Sequence, residues 1–179
     1  MAASYAYITD EDGELVLNGG TYYIIPQRTA NGGGLTVAQK QQTSACPLFI
    51  AQEKDGSSNG HPFKITSPIS SKYLPFGPTE FYIVDDTTTC TKPLSWRFTR
   101  DNATGHIYVA AGTTQSLGPS PFGILSPFSD AQPDEYEIFY CDNVLCEGSG
   151  FYENGLLGLN NDHVRFRFRK AFTQTSQIM

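Results

Sequence analysis

The chain has 179 residues and a formal net charge of -6, with 39% hydrophobic and 13% aromatic residues. This length suits a single domain over residues 1–179 with a sizeable core, and the composition excludes a disordered chain. The negative charge excludes a basic surface for nucleic acid or anionic membrane, and no apolar run approaches the roughly 18 residues that a membrane span needs.

Short apolar and β-branched runs recur along the chain, separated by turns rich in glycine, proline, asparagine and aspartate. They predict about ten to twelve short strands at spacings of about 8–12 residues, and no segment has a sustained helical period. The class is therefore all-β, either a closed barrel or a sandwich. The stretch 112–133 is expected to be mainly loop, with Phe122, Ile124 and Leu125 able to pack inward. The predicted strands are 15–17, 21–25, 35–37, 46–50, 62–66, 80–84, 96–98, 106–109, 136–141, 155–159 and 164–169.

The residues that usually carry catalysis or bind metals are scattered. Four cysteines are present, which allow three pairings, and none belongs to a CxxC pair with matching histidines. We therefore expect no metal and no cofactor. His61, His106 and His163 are isolated, and no Gly-x-Ser-x-Gly sequence is present, so we expect no enzyme. A glycosylation sequon at Asn102 agrees with a secreted chain.

One polar stretch, residues 67–75, has a proline near each end. Pro68 and Pro75 fix their own φ and push the preceding residue toward extended geometry. In an extended chain Ile69, Ser71 and Tyr73 lie on one side, and Ser70, Lys72 and Leu74 lie on the other. The pattern predicts an exposed, extended loop with stiff ends. An ordinary surface connection would have this shape, and so would a segment that fits a cleft for extended peptides.

The chain resembles the plant Kunitz family, of the soybean trypsin inhibitor type. The resemblance lies in residues 8–16 followed by Tyr22-Tyr23-Ile24, and in several later segments that match in order over nearly the whole chain. These later segments are 18–23, 32–35, 46–48, 136–141 and 157–159.

The resemblance implies a β-trefoil, a six-stranded barrel capped by three hairpins with pseudo-threefold symmetry. It implies the disulfides Cys46–Cys90 and Cys141–Cys146. It also implies a seed or tissue defence protein that is secreted or vacuolar, and we expect a monomer whose partner is a serine endopeptidase.

The resemblance also implies a protease-binding loop between the fourth and fifth strands. The family's scissile bond follows the first cysteine at a fixed offset, which places it at Ser70-Ser71. Ser70 then takes the P1 position, the residue before the bond, within a binding loop formed by Pro68, Ile69, Ser70, Ser71, Lys72 and Tyr73. Asn18 matches the family asparagine that supports the loop from behind.

Ser70 departs from the family pattern, in which trypsin inhibitors have Arg or Lys at P1 and chymotrypsin inhibitors have a large apolar residue. Because a serine fills little of a deep pocket, we expect weak trypsin inhibition and a better fit to an elastase-like or subtilisin-like protease. Three alternatives stay open: trypsin inhibition through Lys72 after a two-residue slip, a storage or defence protein without a protease partner, and a carbohydrate or pigment ligand.

Overall fold

The computed structural model describes residues 6–27, 32–39, 46–84, 88–112, 122–126, 133–141, 146–160 and 162–171. The regular elements of these residues are all strands, and hydrogen bonds join them into a 13-stranded sheet. In chain order they are β1 (Thr21–Pro26), β2 (Leu35–Ala38), β3 (Leu48–Gln52), β4 (Phe63–Thr66), β5 (Gly77–Pro78), β6 (Glu80–Ile83), β7 (Arg97–Arg100), β8 (Ile107–Ala111), β9 (Phe122–Leu125), β10 (Tyr136–Cys141), β11 (Cys146–Phe151), β12 (Leu157–Leu159) and β13 (Arg165–Lys170).

Antiparallel pairing closes part of the sheet into a barrel. β1 pairs with β4, β4 with β6, β9 with β10, β10 with β13, and β13 with β1. The remaining junction is made by β5, which directly precedes β6 in the chain and pairs with β9. With β5 and β6 taken as one broken strand, the barrel has six strands and no open edge, which removes the exposed edges of an open sheet.

The other six strands form three hairpins, β2–β3, β7–β8 and β11–β12. The hairpins also pair with one another: β3 with β8, β8 with β12, and β3 with the β12 hairpin through the bridge between Ala51 and Leu156. Three hairpins that pair in a ring, added to a six-stranded barrel, constitute a β-trefoil. The expected fold class is confirmed.

The strand predictions differ from the structure in four places. β9 lies in the stretch expected to be mainly loop, and β5 and β11 were not predicted. Conversely, residues 15–17 form no strand, and their isolated bridges pair Leu15 with Thr9 and Leu17 with Tyr73, which both lie outside the strands. β9 is short and contains Gly123, and β11 contains two glycines, so neither has the composition that local propensity detects.

The barrel interior is built around Trp96, the one tryptophan in the sequence, which is fully buried. Its ring stacks on Phe81 at 4.4 Å and meets Phe63 edge-on at 5.3 Å and Phe122 edge-on at 5.8 Å. These rings come from four different parts of the chain. Aromatic pairs in such geometries add to the stability gained by burial, so this cluster ties the strands together.

Trp96→Phe is expected to lower the free energy of unfolding by about 1–2 kcal/mol, because it leaves a space that the surrounding rings fill only in part. The indole Nε1 has no hydrogen-bond partner in the described structure, so no polar interaction is lost with it. Urea unfolding followed by circular dichroism measures the change. An unchanged midpoint would contradict the central position of Trp96.

Two disulfides are present, Cys46–Cys90 and Cys141–Cys146, which are the pairs implied by the family resemblance. The first connects residues 44 positions apart. It therefore encloses the stretch 67–75, so a chain cut there would stay in one covalent piece. Among the described residues, no helical segment has the length and apolar character of a membrane span.

Candidate functional site

The stretch 67–75 connects β4 to β5, as the resemblance implies for the binding loop. Pro68, Ser70 and Lys72 are exposed, whereas Ile69, Ser71 and Tyr73 are partly buried. The observed exposure thus alternates along 68–73 as an extended chain requires.

The end of the stretch differs from the expected exposed loop. Leu74 is fully buried in the hydrophobic core, and Pro75 is buried beside it. Leu74 hydrogen-bonds through its N–H to the carbonyl of Val16 and through its carbonyl to the N–H of Ile8. The loop is therefore anchored at this end by burial and backbone pairing as well as by the stiffness of Pro75.

Asn18 lies behind the exposed part of the loop, and its side-chain amide makes three hydrogen bonds to the loop backbone. Its Oδ1 accepts from the N–H of Ser67 at 2.8 Å. Its Nδ2 donates to the carbonyl of Ile69 at 3.1 Å and to the carbonyl of Ser71 at 3.0 Å. One amide group thus holds the backbone on both sides of Ser70.

The turn that presents Asn18 is fixed by its neighbours. Gly19 has a φ of 89°, a left-handed conformation that residues with a side chain rarely adopt. The N–H of Gly19 donates to the carbonyl of Ile65 in β4, and the backbone N–H of Asn18 donates to the carbonyl of Lys72. The preceding residue, Leu17, donates its N–H to the hydroxyl of buried Tyr22 at 2.9 Å. The position of Asn18 is therefore set by backbone bonds on both sides.

Ser70 is left open by this arrangement. Within the described residues, neither its backbone N–H nor its carbonyl makes a hydrogen bond, although Ile69 and Ser71 are both held through their carbonyls. A free carbonyl between two fixed peptide groups can be presented to an external donor without loss of an internal bond. A carbonyl without an internal partner is available to donors such as those of an oxyanion hole.

Lys72 is held differently. Its carbonyl accepts the backbone N–H of Asn18 at 2.9 Å, next to the bridge that pairs Leu17 with Tyr73. Its Nζ lies 5.4 Å from the centre of the Tyr73 ring. The carbonyl of Lys72 could enter an oxyanion hole only if this backbone bond were broken.

Two residues that brace the loop were not identified from the sequence. Ser67 accepts the N–H of Ile69 through its side-chain oxygen at 3.1 Å, a local turn for which the Ser-Pro pair was the available signal. Tyr22 fixes the position of Leu17 and thereby that of Asn18. The sequence alone does not indicate which of the two adjacent tyrosines points inward, because that depends on which face of the strand is buried.

Tyr82 and Glu80 lie beside the first residues of the loop and line a cavity of about 340 Å³ together with Thr66, Ser67 and Pro68. The Tyr82 hydroxyl donates a short hydrogen bond to a carboxylate oxygen of Glu80, whose other oxygen lies 3.6 Å from Arg97. Partial burial, and then the bond to Glu80, raise the pKa of Tyr82 above its usual 10.0. Burial also raises the pKa of Tyr22.

These two tyrosines are expected to make stability fall in alkali. Because the pKa is higher in the folded than in the unfolded chain, their contribution is fully present below the unfolded value of 10.0 and is lost as the pH rises through the folded value. The urea concentration at the midpoint of unfolding should stay constant from pH 8 to about pH 9.5 and then decrease. In Tyr82→Phe the decline should be shallower, and an identical decline would contradict the assignment.

The three histidines have separate surroundings. His61 hydrogen-bonds the carbonyl of Val84, His106 stacks on Tyr152, and His163 lies 3.8 Å from a carboxylate oxygen of Glu137. In the described ranges no group of three or more His, Cys, Asp or Glu residues converges as a metal site would require. Asn102 of the sequon lies exposed in the turn between β7 and β8.

The chain is similar to known proteins over most of its length. The sequence profile of the legume Kunitz family, described as trypsin and protease inhibitors, matches residues 8–170. Trypsin inhibitor 2 of Psophocarpus tetragonolobus is 28% identical over 158 residues, which cover 82% of this chain and 84% of that protein. The endogenous alpha-amylase/subtilisin inhibitor of Triticum aestivum is 28% identical over 155 residues, with 82% and 84% covered.

A solved structure supports the fold. The Kunitz-type trypsin inhibitor from Cicer arietinum superposes with a TM-score of 0.79 at 24% identity, over 93% of this chain and 99% of that one. The molecule is thus a β-trefoil of the inhibitor type with a braced, exposed loop. The chain belongs to the legume Kunitz family of trypsin and protease inhibitors. This membership confirms the expectation that it is not an enzyme. The two disulfides accord with an extracellular or vacuolar location.

Proposed function

We propose that the chain inhibits a serine protease through the loop 67–75, with Ser70 at P1 and Ser70-Ser71 as the bond presented to the enzyme. The observation that carries the proposal is the bracket made by Asn18, which binds the carbonyls of Ile69 and Ser71 and leaves the carbonyl of Ser70 free. A loop held in this way is close to its bound shape before it meets the protease, so little conformational entropy is lost on binding.

The same contacts explain how a substrate-like loop would resist hydrolysis. The extended backbone docks on the protease edge and the Ser70 carbonyl enters the oxyanion hole. After cleavage, the new amine at Ser71 stays near the acyl group, because Asn18 holds the carbonyls of Ser71 and Lys72 and Leu74 remains buried. Religation then competes with release, and Cys46–Cys90 keeps the two parts joined.

The small side chain of Ser70 sets the kind of target. It lacks both the positive charge for an acidic S1 pocket and the apolar volume for a large one, so a protease with a small S1 pocket, elastase-like or subtilisin-like, is the better match. The relative from Triticum aestivum whose name includes subtilisin inhibitor is in keeping with this target class.

Lys72 is a weaker candidate for P1 than Ser70. Its carbonyl is engaged by the backbone N–H of Asn18, and use of Lys72 would separate the loop from its support. A secreted or vacuolar monomer that meets its protease outside the cytosol completes the proposal.

The test is a panel of subtilisin, elastase, chymotrypsin and trypsin, with residual activity measured against inhibitor concentration. We expect inhibition of subtilisin or elastase, weak inhibition of trypsin, and one slow cut in the loop. The cut should appear as two fragments on a reducing gel and as one band on a non-reducing gel. If no enzyme in the panel is inhibited and the loop is degraded freely, the chain is a storage or ligand-binding member of the fold.

A further inference from the structure

Two exposed leucines lie beside the loop. Among the described residues only three large hydrophobic side chains are exposed, Leu15 at 40%, Leu17 at 39% and Val84 at 39%. Leu15 and Leu17 lie on the extended segment that ends at Asn18, on either side of fully buried Val16. Because side chains alternate along an extended chain, both leucines face away from the core on the same side.

Leu17 is the partner of Tyr73 in an antiparallel bridge. The bonds on either side of this pair run from Asn18 N–H to the Lys72 carbonyl at 2.9 Å and from Leu74 N–H to the Val16 carbonyl at 2.8 Å. The pair itself is therefore of the non-hydrogen-bonded kind, in which the two side chains lie closest together on one face.

The ring of Tyr73 also packs against another aromatic ring. Tyr7 meets it edge-on, with ring centres 6.1 Å apart. Leu15, Leu17 and Tyr73 together form what we call the apolar shelf. It lies beside residues that follow the Ser70-Ser71 bond, so it borders the leaving-group side of the loop.

The shelf lies within reach of a protease bound at Ser70. Tyr73 is three residues from Ser70, a span of at most about 10 Å, and a paired residue adds about 5 Å. A protease–inhibitor interface of about 800 Å² on each partner corresponds to a circle of about 16 Å radius. Leu17 therefore falls inside the expected footprint, and Leu15, about 7 Å further along its segment, lies just beyond its rim.

We propose that the apolar shelf is a second contact surface for the target protease, and that it binds an apolar surface on the leaving-group side of the enzyme's cleft. This inference rests on the proposed function of the loop. It explains why leucines are exposed beside the loop. Ser70 itself contributes little buried apolar area, so affinity must come from neighbouring contacts.

The test uses Leu17→Ser, Leu15→Ser and the variant that carries both substitutions, and compares each of them with the control Val84→Ser. Val84 is equally exposed but lies just after β6, with its carbonyl bonded to His61, and serves as the matched control. Leu17→Ser should weaken inhibition of the protease found in the panel by about 5–10-fold, Leu15→Ser by about 2–3-fold, and the double variant by about 20-fold. Val84→Ser should leave it unchanged. Melting temperatures should stay close to the parent value in all four, because the side chains are exposed.

The same substitutions made in Ser70→Arg, with trypsin as the enzyme, separate the two proposals. If inhibition is strong but insensitive to Leu15 and Leu17, the shelf proposal is wrong and the loop proposal stands. If neither the parent nor Ser70→Arg inhibits any enzyme, both are wrong. If the parent sediments as a dimer and the double variant as a monomer, with no loss of inhibition, the shelf is an interface between two copies and the proposal is overturned.

Discussion

Ser70→Arg is expected to turn the chain into a strong trypsin inhibitor, about three orders of magnitude tighter than the parent. The backbone geometry and the Asn18 bracket are already present, so only the side chain that fills the S1 pocket is wrong for trypsin. A buried Arg–carboxylate pair in that pocket can contribute roughly 4 kcal/mol, which corresponds to about a thousandfold in affinity. Inhibition constants measured against trypsin check the change.

Lys72→Ala is the matched control for this experiment, since it removes the other basic candidate from the same loop. If Ser70 occupies P1, Lys72→Ala changes the affinity of either form by a few-fold at most, through one contact on the leaving-group side. If Lys72 occupies P1, the parent already inhibits trypsin and Lys72→Ala abolishes that inhibition. Failure of Ser70→Arg to inhibit trypsin at micromolar concentration would show that the loop is not inhibitory.

Asn18→Ala should raise the rate at which a protease cuts the loop by about 100-fold while leaving the barrel folded. The substitution removes three side-chain hydrogen bonds to the loop backbone, each contributing about 1 kcal/mol, and none of them involves the core. Loss of these bonds frees the carbonyls on both sides of Ser70, so the cut ends separate before they can rejoin. The appearance of fragments on reducing gels gives the rate.

Two further variants make this result specific. Asn18→Asp keeps an acceptor for the N–H of Ser67 but has no donor for the carbonyls of Ile69 and Ser71, so it should behave like Asn18→Ala. Asn160→Ala removes an asparagine that also braces a turn, through the carbonyl of Phe151 and the N–H of Asp162. The loop of Asn160→Ala should be cut at the parent rate. Equal cutting rates in the parent and all variants would mean that Asn18 does not support the loop.

Alternation in the sequence predicted most of the barrel strands, whereas β5 and β9, whose pairing closes the barrel, were not predicted. β1 and β13 show alternately buried side chains along their length, and this pattern arises from the two faces of a strand. β11 could not be found in the same way. A Cβ at Gly148 would meet the ring of His163, and a Cβ at Gly150 would meet Asn160, so these glycines are required by close approach of distant residues that local propensity does not record.

The site was predicted unevenly for a similar reason. The prolines and the alternation of side chains predict an extended shape for residues 68–73, and the structure shows the alternating exposure of an extended chain. The role of Asn18 came only from resemblance, because its three bonds span about 50 positions of sequence. The burial of Leu74 was missed because an alternation rule places it with Ser70 and Lys72, whereas pairing with the segment at Val16 turns the chain inward between Lys72 and Leu74.

The position of the cut is the most direct test of Ser70 as P1. The protein is incubated with a small amount of subtilisin, the disulfides are reduced, and the new amino terminus is identified by mass spectrometry. We predict a single new terminus at Ser71, from two fragments that Cys46–Cys90 held together before reduction. A terminus at Tyr73 would place Lys72 at P1, and cuts outside residues 67–75 would contradict the assignment of this loop.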